Sequence, residues 1–417
     1  ITGDSRDNVL DGAAGDDTIF GFSGTNTLLG GAGNDQITGG SGVDIINGGS
    51  GNDTIFSSAG NDSLDGGIGQ NTLSFAQRDG VGVFVDLNIS TASIDTNGGV
   101  NYNEEDRVSK IQEIIGNNSD NTLYGNSSDN VLDGGSGGRN SLYGAGGNNT
   151  LRGGGGVDIA YYAPSATSFE VNMNGDVDGF HVTTSGTTGK DKLINIDEIH
   201  GSNYKDKFTG DSTTTGYIFR GGLNDDTFYS SEGVNVHDGG ADNDLFIITS
   251  KDHGQDSLVG GSGSDTVDFS GVTDLVTPTS GLIVTLNGNE EVISTLNGIA
   301  SHKLQGIENI IGTQHNDTIR GDANNNVLEG NGGDDYFIGS GGFDVIKGSI
   351  ASQNVLSYEN LTVADEGIVV DLTANDYQVS SDGKGSKDKI ENIDTIIGSV
   401  NADVFRGKDG EGNTFIG

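Results

Sequence analysis

The sequence predicts an all-β solenoid, and three observations predict it. Eight nine-residue blocks run without a gap from Gly3 to residue 74, starting at Gly3, Gly12, Gly21, Gly30, Gly39, Gly48, Ser57 and Gly66. The sixth position of every block is Asp or Asn, and the eighth is Leu or Ile. Gly supplies 73 of the 417 residues, more than twice the usual ~7%, and these glycines keep the register of the blocks. A fixed short period is the signature of stacked repeats.

Each block explains itself locally. The Gly-rich first six residues read as a turn, because Gly enters positive φ without steric cost. The next three, as in Thr54-Ile55-Phe56, read as a short strand with its central residue pointing inward. Further clusters of blocks are expected at 116–160, 201–268, 312–348 and the 398–417 segment, beyond the first at 1–74. Some blocks are stretched by one residue, as around Gly138-Arg139-Asn140.

Between clusters lie four inserts, at 75–115, 161–200, 269–311 and 349–397. Alternating apolar residues such as Val81, Val83 and Val85 predict strands in them. Each insert ends alike: Ile111-Gln112-Glu113-Ile114-Ile115-Gly116 in the first, Ile393-Asp394-Thr395-Ile396-Ile397-Gly398 in the fourth. These endings are expected to re-enter the solenoid. The sequence starts and stops inside a block, which predicts a segment of a longer protein.

Charge narrows the partners. With 61 acidic and 20 basic residues the net charge is −41. Nucleic acid is an unsuitable partner, since phosphate binding needs a basic surface. No apolar run is long enough to span a membrane as a helix, so membrane insertion is not expected. Self-repulsion of this size destabilises a compact state, and bound cations are the natural remedy. The chain has no Cys, which leaves secretion open.

The blocks Gly30-Gly31-Ala32-Gly33-Asn34-Asp35-Gln36-Ile37-Thr38 and Gly48-Gly49-Ser50-Gly51-Asn52-Asp53-Thr54-Ile55-Phe56 resemble the RTX nonapeptide, the haemolysin-type calcium-binding repeat of bacterial type I-secreted proteins. The resemblance implies a parallel β-roll, or β-solenoid, of RTX nonapeptide repeats interrupted by about four β-strand inserts. It implies two blocks per turn, so that equivalent positions stack every eighteen residues. Asp17, Asp35 and Asp53 would then line one edge, and Asn26, Asp44 and Asp62 the other.

The chemistry of the ligands agrees with this independently. Ca²⁺ takes about six to eight oxygen ligands at roughly 2.3–2.6 Å. Gly-rich turns let backbone carbonyls converge, and one Asp per turn adds a charged oxygen. Carboxylates stacked about 4.8 Å apart along a ladder repel unless a cation lies between them, so fold and metal form one equilibrium. The expected calcium positions are Asp17, Asp35, Asp44, Asp53 and Asp62, with Gly30, Gly31, Gly33, Gly39, Gly40, Gly42, Gly48, Gly49 and Gly51. Farther on, Asp158, Asp226, Asp244, Asp265, Asp317, Asp335 and Asp344 hold the same position, as do Asp206 and Asp403. Asn121, Asn130, Asn149 and Asn326 replace the acid elsewhere, and those sites should be weaker or vacant. The strongest sites are expected in 1–74 and the weakest in 116–160. A hairpin turn explains an isolated block, and a hydrogen-bonded Asn ladder is the bland alternative for the Asn blocks.

No catalytic constellation stands out. Gly134-Gly135-Ser136-Gly137-Gly138 matches a nucleophile elbow, but that motif needs a strand before it and a helix after it. His181, His200, His237, His253, His302 and His315 form no zinc-protease motif. Neither Pro164 nor Pro278 follows an Asp. Tyr102, Tyr161, Tyr162, Tyr217 and Tyr358 could contact sugars, with core packing the favoured role. Thr25 and Asn26 are not repeated in the flat outward row that ice binding requires. The expected function is a calcium-folded structural or adhesive segment of a secreted surface protein, an adhesin, S-layer or fibre component. Surface glycans and copies of itself are the candidate partners. The alternative is a calcium-binding secretion module of a larger enzyme such as an epimerase, lipase or protease.

Overall fold

The protein is described by a computed structural model covering all residues except 79, 95–103, 164–166, 177, 178, 180, 185–188, 213–215, 252, 253, 276–280, 351 and 409–411. Tyr102, His253, Pro164 and Pro278 lie outside the described residues. The described residues form strands and turns with no helix. They divide into two compact units, Ile1–Ser202 and Asn203–Gly417.

In the first unit the block period becomes a two-faced parallel solenoid. On one face Leu10 pairs with Leu28 and Leu28 with Ile46. On the other, Ile19 pairs with Ile37, Ile37 with Ile55, and Ile55 with Leu73. Every partner is eighteen residues away, so each turn consumes two blocks. The inward residues Ile19, Leu28, Ile37, Ile46, Ile55, Leu64 and Leu73 make a continuous buried core. Fully burying such a side chain contributes about 1.5–3 kcal/mol.

The strands are not all triplets. Thr27–Ala32 and Ile45–Ser50 run on through the glycine corner, with Gly31 opposite Gly49. The backbones approach closely there because no Cβ intervenes. At Gly31 (φ 107°) and Gly33 (φ 138°) the conformation itself excludes most side chains. A Cβ at either would come within 3.0 Å of a carbonyl oxygen one turn earlier, that of Ala13 or Gly15.

The inserts are antiparallel meanders let into one face. In the first, Val83–Asp86, Thr91–Ile94 and Glu104–Ser109 pair in sequence. Glu104–Ser109 then pairs in parallel with Ser63–Asp65 before it, and Val83–Asp86 with Thr122–Tyr124 after it. The opposite face advances by a single strand, Glu113–Ile115, between Thr72–Ser74 and Val131–Asp133. The third insert repeats this in the second unit: Leu282–Thr285, Val292–Leu296 and Ile299–Gln305 form the meander. Its outer strands pair with Ser257–Ser262 and Thr318–Arg320. In 116–160 the register lengthens to nineteen, Leu123 pairing with Leu142 and Leu132 with Leu151.

Candidate metal centre

The sixth-position side chains form two ladders along the first unit. The Asp17 amide donates to Asp35 Oδ1 at 2.8 Å, Asp35 to Asp53 Oδ1 at 2.9 Å, and Asp53 to Asn71 Oδ1 at 2.9 Å. In the other ladder Asn26 donates to Asp44 Oδ1 and Asp44 to Asp62 Oδ1, both at 2.8 Å. One carboxylate oxygen per residue is thus fixed by the preceding turn. The second oxygen of Asp17, Asp35, Asp44 and Asp53 is buried with no hydrogen-bond partner. Orphaned buried acceptors are rare in native proteins, and an orphaned charged oxygen is costlier still.

Those oxygens point to one kind of place. A Cβ on Gly30 would come within 3.0 Å of both Asp35 Oδ2 and the Gly48 carbonyl. A Cβ on Gly48 would do the same with Asp53 Oδ2 and the Gly66 carbonyl. A Cβ on Gly39 would meet Asp44 Oδ2 and Ser58 Oγ. Each first-position glycine therefore leaves open a cradle of oxygen atoms. No group of three or more His, Cys, Asp or Glu side chains encloses a metal among the described residues, so a cation here depends on backbone carbonyls as well. A hard, oxygen-seeking ion fits this donor set, and a thiolate- or imidazole-seeking one does not.

The second unit repeats the arrangement. Asp206 donates to Asp226 Oδ1, Asp226 to Asp244 Oδ1, and Asp244 to Asp265 Oδ1, each at 2.8 Å. Asp317 donates to Asp335 Oδ1 at 3.2 Å. The Oδ2 atoms of Asp226, Asp244, Asp265 and Asp335 are again orphaned. Burial is the first cause of their raised pKa values. It pushes Asp226 and Asp335 up to about 8 and Asp244 to about 7, with neighbouring carboxylates adding to the shift. Burial also raises Asp53, Asp158 and Asp265.

A model of the RTX calcium-binding nonapeptide repeat matches residues 2–37, 38–73, 112–138, 135–162, 218–246, 253–276 and 311–346, just over half of the chain. The chain belongs to the RTX calcium-binding repeat family. No curated protein matches it.

The RTX blocks of this chain are not equivalent. At Asp62, Asp344, Asp317 and Asp403 a hydroxyl four residues earlier takes up a carboxylate oxygen. Ser58 reaches Asp62 at 3.0 Å, Ser340 reaches Asp344 at 2.8 Å, and Thr313 and Ser399 each reach their acid at 2.8 Å. Those blocks have Ser or Thr where Asp35 and Asp53 have a glycine, a signal that is present in the sequence. Burial pushes Asp317 to about 7 and Asp62 and Asp344 to about 6.

At Asn121, Asn140 and Asn149 the amide nitrogen stands where the orphaned oxygen would be, whereas at Asn130 and Asn326 the oxygen keeps that place and accepts from the amide four residues earlier. Asn121 Nδ2 donates to the Ser119 carbonyl at 2.7 Å and the Gly134 carbonyl at 2.8 Å. Asn140 was not picked out from the sequence, because the one-residue stretch displaces it. It accepts from the Asn121 amide and Nδ2 and passes its own donors to Asp158 Oδ1. Asn130, Asn149 and Asn326 sit in the same ladders. Asn235 and Asn354 are further ladder residues hidden by irregular spacing.

The inserts also supply ladder residues that the nine-residue count misses. Asp62 donates to Asp106 and Asn71 to Gln112. Asn149 donates to Asp191 and Asp158 to Asp197. Asp256 donates to His302 and Asp265 to Glu308. Asp344 donates to Asp388 and Asn354 to Asp394. In all four inserts the two acceptors are six residues apart. The residue at the fourth step is left-handed each time: Lys110, Asn195, Gly306 and Asn392. A buried tyrosine hydroxyl completes two of these acids, Tyr162 to Asp191 at 2.9 Å and Tyr358 to Asp388 at 2.7 Å.

The remaining candidates are placed as follows. Ser136 is exposed in a bend, and the next element is the strand Ser141–Tyr143, not a helix. His237 and His302 are buried about Asp256, at 3.7 and 3.8 Å. His200 pairs with Glu198 at 2.6 Å, and His181 Nδ1 accepts from the Leu193 amide. His315 is half-buried in its turn. Tyr161 belongs to an outer-face stack, its ring centroid 4.7 Å from that of Tyr143, which stacks on Tyr124 at 4.0 Å. Tyr217 donates to Asp211 at 3.0 Å.

Proposed function

We propose that this chain is a non-catalytic, calcium-folded structural or adhesive segment of a secreted bacterial surface protein, such as an adhesin, S-layer or fibre component. The observation that carries this reading is the fourfold repetition of inserts whose return segments continue both acid ladders. A secretion module needs one repeat cluster, whereas this chain alternates clusters with elaborated sheet. Export through type I secretion is typical of RTX repeat proteins and supports an extracellular location. Exposed apolar residues on strand outer faces, such as Ile45, Ile283 and Ile293, support contacts with further copies or with surface glycans.

Two measurements test the reading. Chelation should remove much of the β circular dichroism, and millimolar calcium should restore it; an unchanged spectrum refutes calcium folding. Sedimentation and electron microscopy in calcium should then show ordered self-association or retention on cell-surface glycans. A chain that stays monomeric, binds no glycan and merely promotes folding of an enzyme fused to it would refute the structural role.

A further inference from the structure

The third insert leaves a groove that the repeat itself does not supply. A cavity of about 920 Å³ opens in the second unit, lined by this meander, by Arg320 and by the turns at 321–323 and 339–342. That volume falls within the ~300–1,000 Å³ of small-molecule sites. The apolar lining includes Ile283 and Ile293, which are 52% and 55% exposed. The polar lining includes Thr285, Asn287 and Thr295, whose side chains bond to no other described residue.

Arg320 is half-buried at this groove without an answering acid. Elsewhere an outward base on a strand meets a carboxylate on the neighbouring strand. Arg152 meets Asp133, Arg220 meets Asp238, Lys347 meets Glu329 and Arg406 meets Asp371. The cross-strand neighbours of Arg320 are Thr285 and Ile338, and it makes no ion pair with any described residue. The other charges at the groove are already engaged. Lys384 pairs with Asp365 at 2.7 Å. Asp322 accepts from the Gly288 amide on one oxygen and the Asn324 amide on the other, both at 2.7 Å. Arg320 is thus the charge left for a ligand.

A guanidinium in this position is matched by one carboxylate held on two parallel N–H donors. A neutral or wholly apolar occupant would desolvate it without compensation. A polyanion would meet the field of a chain of net charge −41, so the acid stands alone among neutral groups. The hydroxyls of Thr285 and Thr295 and the amide of Asn287 suit sugar hydroxyls, and Ile283 and Ile293 suit the C–H face of a sugar ring. We propose that this groove binds a glycan ending in a single carboxylated sugar, with Arg320 on the carboxylate. The proposal rests on the surface-protein reading above and names a ligand for it.

Calorimetric titration of the full chain in saturating calcium, with sialyllactose, a disaccharide ending in glucuronic acid, and lactose, tests this. At least one acidic probe should bind and lactose should not; the two acidic probes tell a sialic acid from a hexuronate. Arg320→Ala should weaken binding about tenfold or more. Thr285→Glu places a carboxylate opposite the guanidinium and should weaken it as much. Both variants should keep the parent's β circular dichroism. Lys207→Ala, which removes an exposed base outside the groove, should bind as the parent does. Failure of both acidic probes, equal binding of lactose or of N-acetylglutamate, an equal loss in Lys207→Ala, or full binding by either folded groove variant overturns the site and leaves calcium folding and self-association intact. Loss of the fold by both groove variants would make Arg320 a structural residue and likewise overturn the site. A parent that does not fold on calcium addition overturns the surface-protein reading itself.

Discussion

Replacing Asp53 with Asn should change stability in opposite directions with and without calcium. Asp53 is fully buried. Its Oδ1 accepts from the Asp35 amide at 2.9 Å, and its Oδ2 has no partner. Asn keeps the first oxygen and replaces the second with an amide. Asn121 shows what that amide does: it donates to the carbonyls of Ser119 and Gly134. The equivalent carbonyls for residue 53 belong to Gly51 and Gly66. Relieving an unsatisfied buried oxygen recovers about 1–3 kcal/mol, the new hydrogen bonds being the means of that relief. Without metal the variant should therefore be more stable by about 2 kcal/mol. With calcium a thousandfold above its dissociation constant, a lost site forfeits about 4 kcal/mol, leaving the variant about 2 kcal/mol less stable. Urea titrations followed by circular dichroism, run in chelator and in calcium, read both values. A shift of the same sign in both would refute the assignment of Asp53 Oδ2 as a cation ligand.

Three further outcomes are expected. In chelator, amide hydrogens in the Asn-rich 116–160 region should stay protected longer than those of Asp35, Asp53 and Asp244; equal exchange would show that the Asn amides do not substitute for the ion. The metal-free chain should gain stability on acidification. The folded-state pKa values of Asp62, Asp244 and Asp226 lie at about 6, 7 and 8, above the ordinary carboxylate range. Their protonated forms therefore favour the fold, and this stability is full below about pH 4 and lost as pH rises through 6 to 8. Urea midpoints in chelator that increase between pH 5 and pH 8 would contradict it. Finally, Tyr358→Phe strips the hydroxyl from Asp388 Oδ2 and should lower stability by about 1–3 kcal/mol, measured in saturating calcium by thermal unfolding.

The period made the solenoid legible, because two constraints repeat at once: an inward aliphatic at the eighth position and an Asp or Asn at the sixth. Ile19, Ile37, Ile55 and Leu73 fall into one stack by arithmetic alone. What the period could not reveal is how each second carboxylate oxygen is satisfied. That depends on residues outside the two repeated positions, such as Ser58, Thr313 and Ser340. Asn140 and Asn354 escaped because a single added residue breaks the count while the ladder absorbs it in the turn. The insert acids escaped for a different reason. Asp106 and Asp191 sit on strands that return from a meander and Asp388 sits just before one, so their neighbours in the ladder are 42–44 residues away. Only the six-residue spacing to Gln112, Asp197 and Asp394 betrays them.

These replacements suggest why the ladder can be long without being uniform. An unbroken stack of acids would tie every turn to calcium. Here four outcomes recur at the sixth position and its insert counterparts: an orphaned oxygen, as at Asp53; a serine or threonine hydroxyl, as at Asp344; a buried tyrosine, as at Asp191; or Asn in place of the acid, as at residue 121. The last three satisfy the turn with the protein's own donors. Orphaned sixth-position oxygens fall in 1–74, in 201–268 and at Asp335, whereas among the described residues none falls in 116–160. On the calcium-folding reading proposed above, calcium dependence would be distributed by side-chain choice at one or two positions per turn, while the backbone ladder and the aliphatic core stay the same. A chain built this way can acquire or lose an ion site through a Gly→Ser or Asp→Asn change without altering its register.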